Sequence, residues 1–355
     1  MFKKVKKIIK DSKNLDCIIF SDPVHLSWFA GFSGSTGVLV VTEEGAVLGV
    51  DFRYHEIAQD LEKENLDIYC CSERNLLKST FRHVFGNLER RIGYISSRST
   101  EKQKLLLEKN TKGDLISVDD SIDFARSVKT DKELEGIKES ARLNASLFKY
   151  VRKLIKPGIT ERDLASDIVK YAIKNGAEKM AFNPIVASGS FSSRPHASFT
   201  NKILEAGEPL TLDIGVSLDG WMSDMTRTWL VPGKKPEKEF LEIFQITNKA
   251  KMKAEEKLRE SVSGHEVDEE ARKVIRDAGY GDFFGHGLGH GVGREVHESP
   301  GLFQGSKTQM IKNMVVTIEP GIYLKDKYGV RIEDSYIVGN KKSINLGIDV
   351  FSDFF

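Results

Sequence analysis

The chain has 355 residues, with 53 Lys and Arg against 52 Asp and Glu, and its formal net charge at pH 7 is +1. This balance gives no overall field that would favour nucleic acid or an acidic membrane surface. The length favours two domains, and three cysteines are too few for a disulfide framework, so we expect a cytoplasmic protein with no membrane span.

Short apolar runs alternate with helical patterns over residues 1–125. Strands are predicted at LDCIIF, GVLVV, AVLGVD, LDIYCC and RIGYIS, and the helices between them include FRYHEIAQDLEKEN and TEKQKLLLEKN. This alternation predicts an α/β domain with a mixed sheet. The segment contains no cluster of catalytic residue types, so the chemistry is expected in residues 126–355.

The pattern changes at about Asp131 to long amphipathic helices, the first of them predicted over residues 131–155 and ended by Pro157 and Gly158. Two hairpins are predicted further on. The first joins PLTLDIGVSLDG to WMSDMTRTWLVPG, and the second joins MVVTIEPGIYL to GVRIEDSYIV. Because helices and strands cluster here, an α+β domain is predicted.

The sequence TLDIG at 211–215 recurs as TIEPG at 317–321. The same offset superposes Gly158 on Gly264, and DKEL at 131–134 on EKEF at 237–240. The shared order of helix, glycine break, helix and strand ending in an acid predicts an internal duplication with pseudo-two-fold symmetry. The alternative is two similar helix pairs in a helix-rich domain.

Four acids occupy repeated positions in the two predicted hairpins. Asp213 and Glu319 end apolar strands, and Asp224 and Glu333 lie on the strands that follow. A single Asp or Glu is usually found at an exposed loop end. The apolar runs before Asp213 and Glu319 favour burial, and four buried carboxylates would repel one another unless cations lay between them.

A glycine-rich segment, FFGHGLGHGVGREVHESP, contains His286, His290 and His297. Glycine suits a crowded site because it packs closely and accepts positive φ, so we expect a fifth metal ligand from this segment. The segment has no GxGxxG opening a helix after a strand, and VHES is not the HExxH motif of zinc proteases. A zinc-binding HxxxH pair on a helix is a further possibility.

The motifs DIG, SDMTRTW, GHGVGREVHESP, TIEPGIY and VRIEDS occur in this order within residues 131–340. Together they resemble the pita-bread metallopeptidases, the family of Xaa-Pro aminopeptidase, Xaa-Pro dipeptidase (prolidase) and methionine aminopeptidase. WFAGFSGSTGVLVVT is similar to the creatinase-type N-terminal domain of the proline-specific members. The resemblance implies a creatinase-like domain at 1–125 and a pita-bread catalytic domain at 126–355.

The resemblance also implies a site for two divalent metal ions. Asp213 would chelate one ion, Asp224 and Glu333 would bridge both, and His290 and Glu319 would hold the second. Four carboxylates and one imidazole form a hard, oxygen-rich set, which favours manganese or cobalt and leaves zinc possible. The expected chemistry is attack on the scissile carbonyl by a hydroxide shared between the ions.

Further roles follow from the same resemblance. Glu319 would accept a proton and pass it to the leaving proline nitrogen. Arg331 would orient Glu333 or its neighbours, although an exposed arginine is an equal alternative. Roles in holding the substrate and stabilising the oxyanion are implied for three histidines, His196, His286 and His297. Tyr323 is a further candidate for the wall around the proline ring.

The implied activity is hydrolysis of the bond between an N-terminal residue and proline, whose nitrogen carries no N–H. A dipeptidase needs a cation that binds the free carboxylate of its substrate. Some dipeptidases of the family have an arginine directly after HExP, where this chain has Gly301, and this departure favours the aminopeptidase. Arg194 or Arg294 could supply the charge instead, which would favour a prolidase.

Two other classes of protein fit less well. A non-catalytic binding protein of the same fold would lack at least one ligand, and the chain has all five ligand types. A metal-independent hydrolase would need an activated nucleophile, and no GxSxG motif is present. The expected partners are peptides with proline at the second position, without nucleic acid or membrane, and the resemblance implies a homodimer.

Overall fold

The structure is a computed structural model, and it describes residues 1–12, 14–111 and 113–347. The chain divides into two compact units, the first being Met1–Ala125 and the second beginning at Arg126. None of the helices in these described ranges has both the length and the apolar character that a membrane crossing requires.

The first unit is built on a six-stranded mixed sheet in the order β4-β3-β2-β1-β5-β6. The central strands β1, β2 and β3 pair antiparallel, whereas β4, β5 and β6 join in parallel. The mixed sheet predicted from the alternation is therefore confirmed. The strands are β1 (Cys17–Phe20), β2 (Val38–Val41), β3 (Ala46–Asp51), β4 (Leu66–Cys71), β5 (Ile92–Tyr94) and β6 (Leu115–Ser117).

The described residues around this sheet form the helices α1 (Phe2–Asp11), α2 (Pro23–Ala30), α3 (Phe52–Gln59), α4 (Leu76–Phe85), α5 (Glu101–Thr111) and α6 (Asp119–Ser127). Strand β2 shows why both sheet faces are covered: Leu39 and Val41 pack into one apolar cluster, and Val38 and Val40 pack into another. Helix α3 ends at Gln59, earlier than its pattern predicts.

The second unit contains two helix pairs, α7 (Asp131–Arg152) with α8 (Glu161–Lys174), and α9 (Lys238–Lys257) with α10 (Gly264–Asp277). Helices α7, α8 and α10 each begin with a capping box in which a Ser or Thr and an acid three residues later satisfy free backbone N–H groups. Helix α7 ends three residues before the predicted boundary, ahead of Pro157 and of Gly158, whose φ is 94°.

Up to residue 347, where the described part of the second unit ends, its strands form four small sheets. Strand β9 lies between β8 and β12, and β15 lies between β13 and β18. The strands are β7 (Lys179–Met180), β8 (Ile185–Ser188), β9 (Pro209–Ile214), β10 (Val216–Leu218), β11 (Trp221–Met222), β12 (Met225–Leu230), β13 (Gly289–Gly291), β14 (Glu298–Leu302), β15 (Val315–Ile318), β16 (Gly321–Leu324), β17 (Tyr328–Arg331), β18 (Asp334–Ile337) and β19 (Ile344–Asn345).

The predicted internal repeat is present in this unit. Each helix pair precedes an antiparallel strand pair, β9 with β12 in the first half and β15 with β18 in the second. Helices α7 and α8 share an apolar core with β9 and β12, and α9 and α10 share another with β15 and β17. The two halves meet where Thr226 forms an isolated bridge with Glu333. The helices thus occupy one side of each strand pair and leave the other side for polar residues.

Candidate active site

One cavity of the second unit, about 480 Å³ in volume, collects the residues that the sequence singled out. Its walls include Asp213, Asp224, His290, Glu319, Glu333, His196, His286, His297 and Arg331. These residues come from segments more than a hundred positions apart, so the meeting of the two repeated halves creates the cavity.

The strand period explains why the acids point into the cavity rather than into the core. Along β9, Leu210, Leu212 and Ile214 are fully buried in the apolar cluster under the helices. Asp213 alternates with them and therefore projects from the opposite face of the strand. In the pairing of β9 with β12, Asp213 lies opposite Thr226.

Three of the predicted ligands lie close enough to share one cation. Asp224, His290 and Glu333 each offer a ligand atom, and these atoms lie within 4.8 Å of one another. The His290 Nε2 atom is 3.6 Å from Asp224 Oδ2 and 3.3 Å from Glu319 Oε1. His290 lies on β13 rather than on a helix, so the HxxxH pair is not a helical zinc motif.

Two buried oxygens of this group have no protein partner. Asp213 Oδ1 and Asp224 Oδ1 are buried and form no hydrogen bond with any residue in the described ranges 1–12, 14–111 and 113–347. Buried acceptors are nearly always satisfied, because leaving one unpaired is costly. A divalent cation would satisfy both oxygens, and the hard carboxylate donors match that choice.

The pKa values of two acids reflect this crowding. Burial, followed by repulsion from Glu333, Asp213 and Glu319, raises the pKa of Asp224 well above its usual range. Burial and repulsion from Glu319 and Asp213 likewise raise the pKa of Glu333. A positive ion between the carboxylates would oppose both effects.

Glu319 differs from these two acids because His290 lies beside it. Burial acts to raise the pKa of Glu319, but the hydrogen bond and charge of His290, together with the charges of His286 and Arg331, outweigh it, so the pKa falls. Burial acts to lower the pKa of His290, and the same contact with Glu319 raises it. Glu319 is therefore held as a carboxylate that can accept a proton.

His286 is fixed by contacts at both ring nitrogens. Nδ1 lies 2.8 Å from the Gly287 carbonyl oxygen and Nε2 lies 3.0 Å from the Tyr323 hydroxyl. Burial lowers the pKa of His286, so the neutral ring is favoured, with Nδ1 donating and Nε2 accepting. The backbone carbonyl of His286 accepts a hydrogen bond from Arg272, which also pairs with buried Asp268 of α10.

His297 stacks edge-on against His290, with ring centroids 4.2 Å apart. Burial and the neighbouring His290 lower the pKa of His297. The next residue, Glu298, anchors the segment: its side chain is 6% exposed and pairs with Arg126 at 2.8 Å and Lys129 at 2.6 Å. The sequence did not identify Arg126 and Lys129 as partners of Glu298. The one feature that pointed to them was their position just before the first long helix.

Arg331 is buried, with 4% of its surface exposed, so the exposed alternative is wrong. Its Nη2 donates to Asp213 Oδ2 at 2.6 Å, and Nη1 donates to the Tyr323 hydroxyl at 3.0 Å. Its Nε donates to Thr226 Oγ1, which itself donates to Glu333 Oε2. Arg331 therefore contacts Asp213 directly and reaches Glu333 only through Thr226.

Arg294 does not line the cavity in the part of the chain that the structure describes. Its guanidinium lies 3.8 Å from the centre of the Trp221 ring, and Nη1 donates to the Asp219 carbonyl at 2.7 Å. Asp219 has a φ of 49°, in the left-handed region. Arg294 therefore stabilises the turn between β10 and β11.

Replacing Arg294 with alanine is expected to change stability rather than substrate binding. Loss of the cation–π contact and the hydrogen bond should lower the free energy of unfolding by about 1–2 kcal/mol. Urea denaturation measures that change, and steady-state kinetics should give a KM equal to that of the unchanged protein. A KM that rises several-fold for peptides would place Arg294 at the substrate after all.

Other cavity residues are apolar and were not anticipated, namely Phe182, Ile185, Pro195 and Val296. In the sequence they resemble ordinary core residues, so no local pattern distinguishes a cavity-lining residue from a core residue. Arg194 is exposed and stacks on Phe191 at 4.6 Å. Its neighbours Pro195 and His196 line the cavity, although Arg194 does not appear among the described lining residues.

Two protein families match the chain. Metallopeptidase family M24 matches residues 135–340, and the creatinase/prolidase N-terminal domain matches residues 2–128. The M24 match includes every residue that lines the cavity. The two matches therefore follow the same division as the two sets of sequence motifs.

Individual proteins similar to the chain are named either as Xaa-Pro dipeptidases or as X-Pro aminopeptidases. An Xaa-Pro dipeptidase of Pyrococcus furiosus is 33% identical over 95% of this chain and 95% of its own length. The structure of an Xaa-Pro dipeptidase from Bacillus anthracis has a TM-score of 0.91 at 29% identity, covering 98% of this chain and 96% of that chain. An X-Pro aminopeptidase from Thermotoga maritima has a TM-score of 0.88 at 29% identity, covering 97% of both chains.

Proposed function

Because this chain belongs to metallopeptidase family M24, we propose that it hydrolyses the bond between an N-terminal residue and proline. The observation that supports this most directly is the meeting of four carboxylates and one imidazole in a single cavity, with two buried oxygens left unpaired. Such a set fits divalent metal ions and, with three further histidines around it, a hydrolytic site.

We assign the residues as the sequence analysis predicted them. Asp213, Asp224, His290, Glu319 and Glu333 would hold two divalent ions, with manganese or cobalt preferred over zinc because most donors are oxygens. When bound, such ions polarise a carbonyl and lower the pKa of water at the site. The protein supplies the fixed donor geometry, in which Arg331 holds one oxygen of Asp213 and leaves the other free.

The remaining steps fall to side chains around the ligands. Glu319, kept ionised by His290, would accept on its carboxylate the proton that the attacking water loses and would transfer it to the proline nitrogen as the peptide bond breaks. His196, His286 and His297 line the cavity and would hold the peptide. His196 and His297 would donate to the developing oxyanion, whereas the N–H of His286 is already bound to the Gly287 carbonyl. Proline suits this arrangement because the site needs no N–H from the leaving residue.

We propose the aminopeptidase rather than the dipeptidase. Arg331 is the one arginine among the described residues that line the cavity, and its donors already bind Asp213, Tyr323 and the Pro195 carbonyl. No free arginine of the described cavity wall therefore stands ready to bind a dipeptide carboxylate. The second candidate, a prolidase, is favoured by the names of several similar proteins and would rely on exposed Arg194.

Comparing two substrates tests this proposal. The protein is stripped of metal and reloaded with Mn²⁺, and release of the N-terminal residue is measured for an Xaa-Pro dipeptide and for the same dipeptide extended to Xaa-Pro-Xaa. Cleavage of the longer peptide is expected, with no change in its KM for Arg194→Ala. Cleavage of the dipeptide alone, with a raised KM in Arg194→Ala, would establish the prolidase. If neither peptide is cleaved, the proline assignment is wrong.

We retain three broader proposals from the sequence. The division at residue 125 into a creatinase-like and a catalytic domain is supported by the two compact units. A cytoplasmic location is supported by Cys17, Cys70 and Cys71, which are free thiols. A homodimer is supported by the family resemblance alone, and a single monomeric mass in solution would contradict it.

A further inference from the structure

The segment at 188–200, between β8 and β9, forms one wall of the cavity. Pro195, His196, Ala197 and Ser198 from this segment line the cavity. It contains a single 3-10 turn, Gly189–Ser193, and Arg194 and His196 within it are exposed. Its position therefore depends on how its ends and its middle are attached to the rest of the unit.

Both ends of the segment bind one carboxylate. Glu161, the first residue of α8, has 0% of its surface exposed. Its Oε1 accepts hydrogen bonds from Ser188 N–H and Ser188 Oγ, both at 2.8 Å. Its Oε2 accepts from Thr200 N–H at 2.8 Å and from Thr200 Oγ1 at 2.7 Å. Four donors from two points that are twelve residues apart in the chain thus meet on a single side chain.

Glu161 is not needed to cap its own helix. Thr160 and Asp163 already form the capping box of α8, in which Asp163 Oδ2 accepts from the Thr160 backbone and hydroxyl. An acid in the first helical turn normally lies at the surface, where the helix dipole favours it. Glu161 is turned inward instead, and burial of a carboxylate is tolerated only when its oxygens are satisfied, as they are here.

The middle of the segment is attached at a different place. The Arg331 Nη1 atom donates to the Pro195 carbonyl at 3.1 Å, and Ser192 Oγ accepts from Gly329 N–H at 3.0 Å. These contacts tie the segment to β17, beside the proposed metal ligands. Among the described residues, the Glu161 side chain bonds to Ser188 and Thr200 and does not line the cavity, so it can affect the segment without being a metal ligand.

We propose that Glu161 is a positioning residue that fixes the 188–200 segment, and with it His196, against the substrate. This inference rests on the proposed peptidase function, and it assigns a part of substrate binding to a buried acid on a helix that does not line the cavity. Because the two ends of the segment share one carboxylate, weakening either bond is expected to loosen the wall that carries Pro195 and His196. Backbone pairing of Ser188 with β9 and of Thr200 with α8 remains, so the segment stays attached.

The test is Glu161→Gln in the metal-loaded, full-length protein. Glutamine keeps the shape, but its amide nitrogen donates and cannot accept, so one end of the segment loses its acceptor. Hydrogen exchange at the Ser188 or Thr200 amide is expected to become about tenfold faster. For the Xaa-Pro substrate that the unchanged protein cleaves, kcat/KM is expected to fall between about 10- and 100-fold, chiefly through KM, because small misplacements of substrate-holding groups have effects of that size.

Asp163→Asn is the matched control, since it makes the same charge change in the same helical turn while contacting only Thr160. Its kcat/KM is expected to stay within about twofold of the unchanged protein, because it does not touch the segment. Thr200→Val removes one of the four donors to Glu161, together with the acceptor of the Lys202 N–H, and it tests the proposal even if Glu161→Gln folds poorly. It is expected to raise KM several-fold.

Three results would overturn the assignment. Unchanged exchange at both amides in Glu161→Gln would show that the carboxylate does not hold the segment. Faster exchange with an unchanged KM would show that the segment does not hold the substrate. A fall in activity that is reversed fully by added Mn²⁺ would place the effect at the metal ligands. Failure of the unchanged protein to cleave Xaa-Pro peptides would instead refute the proposed function, and the exchange measurement would still decide whether Glu161 fixes the segment.

Discussion

Replacing Glu319 with alanine is expected to reduce kcat by about 10⁴-fold or more, because the substitution removes the proposed proton acceptor and a proposed metal ligand together. Glu319 lies 3.3 Å from His290 Nε2, and that contact lowers the pKa of the Glu319 carboxylate. Without the Glu319 side chain, His290 also loses a contact that holds its ring beside Asp224. Steady-state hydrolysis of an Xaa-Pro peptide measures the loss of rate, and calorimetric titration with Mn²⁺ measures the loss of metal affinity.

Two further variants separate the roles of Glu319. Glu319→Gln keeps a neutral oxygen ligand but not the basic group, so its affinity for Mn²⁺ should fall less than that of the alanine variant while its kcat stays very low. Glu256→Ala removes an exposed glutamate that pairs with Lys253 and does not line the described cavity, so its kcat should be unchanged. A Glu319→Ala protein with near-native turnover would refute the assigned mechanism.

Adding Mn²⁺ to the metal-free protein is expected to raise its Tm by roughly 5–10 °C when the free ion is about 100 times its Kd. The reason is the cost of the empty site in the folded state. Burial and repulsion from neighbouring carboxylates raise the pKa values of Asp224 and Glu333, and oxygens of Asp213 and Asp224 lack partners among the described residues. A cation removes both penalties in the folded chain and has no equivalent site in the unfolded one. Calorimetric unfolding with and without Mn²⁺ measures the shift.

Asp224→Asn provides the matched control for that experiment. The amide has the shape of the carboxylate but carries no charge, so the metal-free variant should be at least as stable as the metal-free unchanged protein. The same variant should lose most of the rise in Tm on adding Mn²⁺, since one of the proposed metal ligands has lost its charge. If metal-free Asp224→Asn is clearly less stable than the unchanged protein, charge repulsion is not what destabilises the site.

The choice between aminopeptidase and prolidase depends on arginines more than on the metal ligands. Either enzyme could use the same five ligands, because the chemistry at the scissile bond is the same. The two enzymes differ in whether a cation binds the substrate carboxylate. The three arginines near the motifs lie in different environments. Arg294 stacks on Trp221, Arg331 holds Asp213, and Arg194 is exposed beside the cavity. Comparing substrates of different length therefore tests whether Arg194 binds the carboxylate of a dipeptide.

Several features of the protein could be predicted from local patterns. Alternation of strands and helices predicted the mixed sheet of the first unit, because sheet and helix periods are properties of short segments. The repeat of TLDIG as TIEPG predicted two related hairpins, and the apolar runs before Asp213 and Glu319 predicted that these acids would lie at buried strand ends. Local patterns also predicted that a histidine would join them, without saying which one.

The tertiary structure decided the contacts between segments that are distant in the chain. Arg331 could be exposed or buried by sequence alone, and only the pairing of the two halves placed it on Asp213. Arg294 lies three residues before His297, yet packing on Trp221 turns it away from the cavity. Glu161 gave no signal beyond an ordinary first-turn acid, because its four donors come from Ser188 and Thr200. The sequence determined which face of each strand or helix a residue occupies, since that follows from the local period. What each face meets depended on how the two halves pack together, and no local pattern encodes that packing.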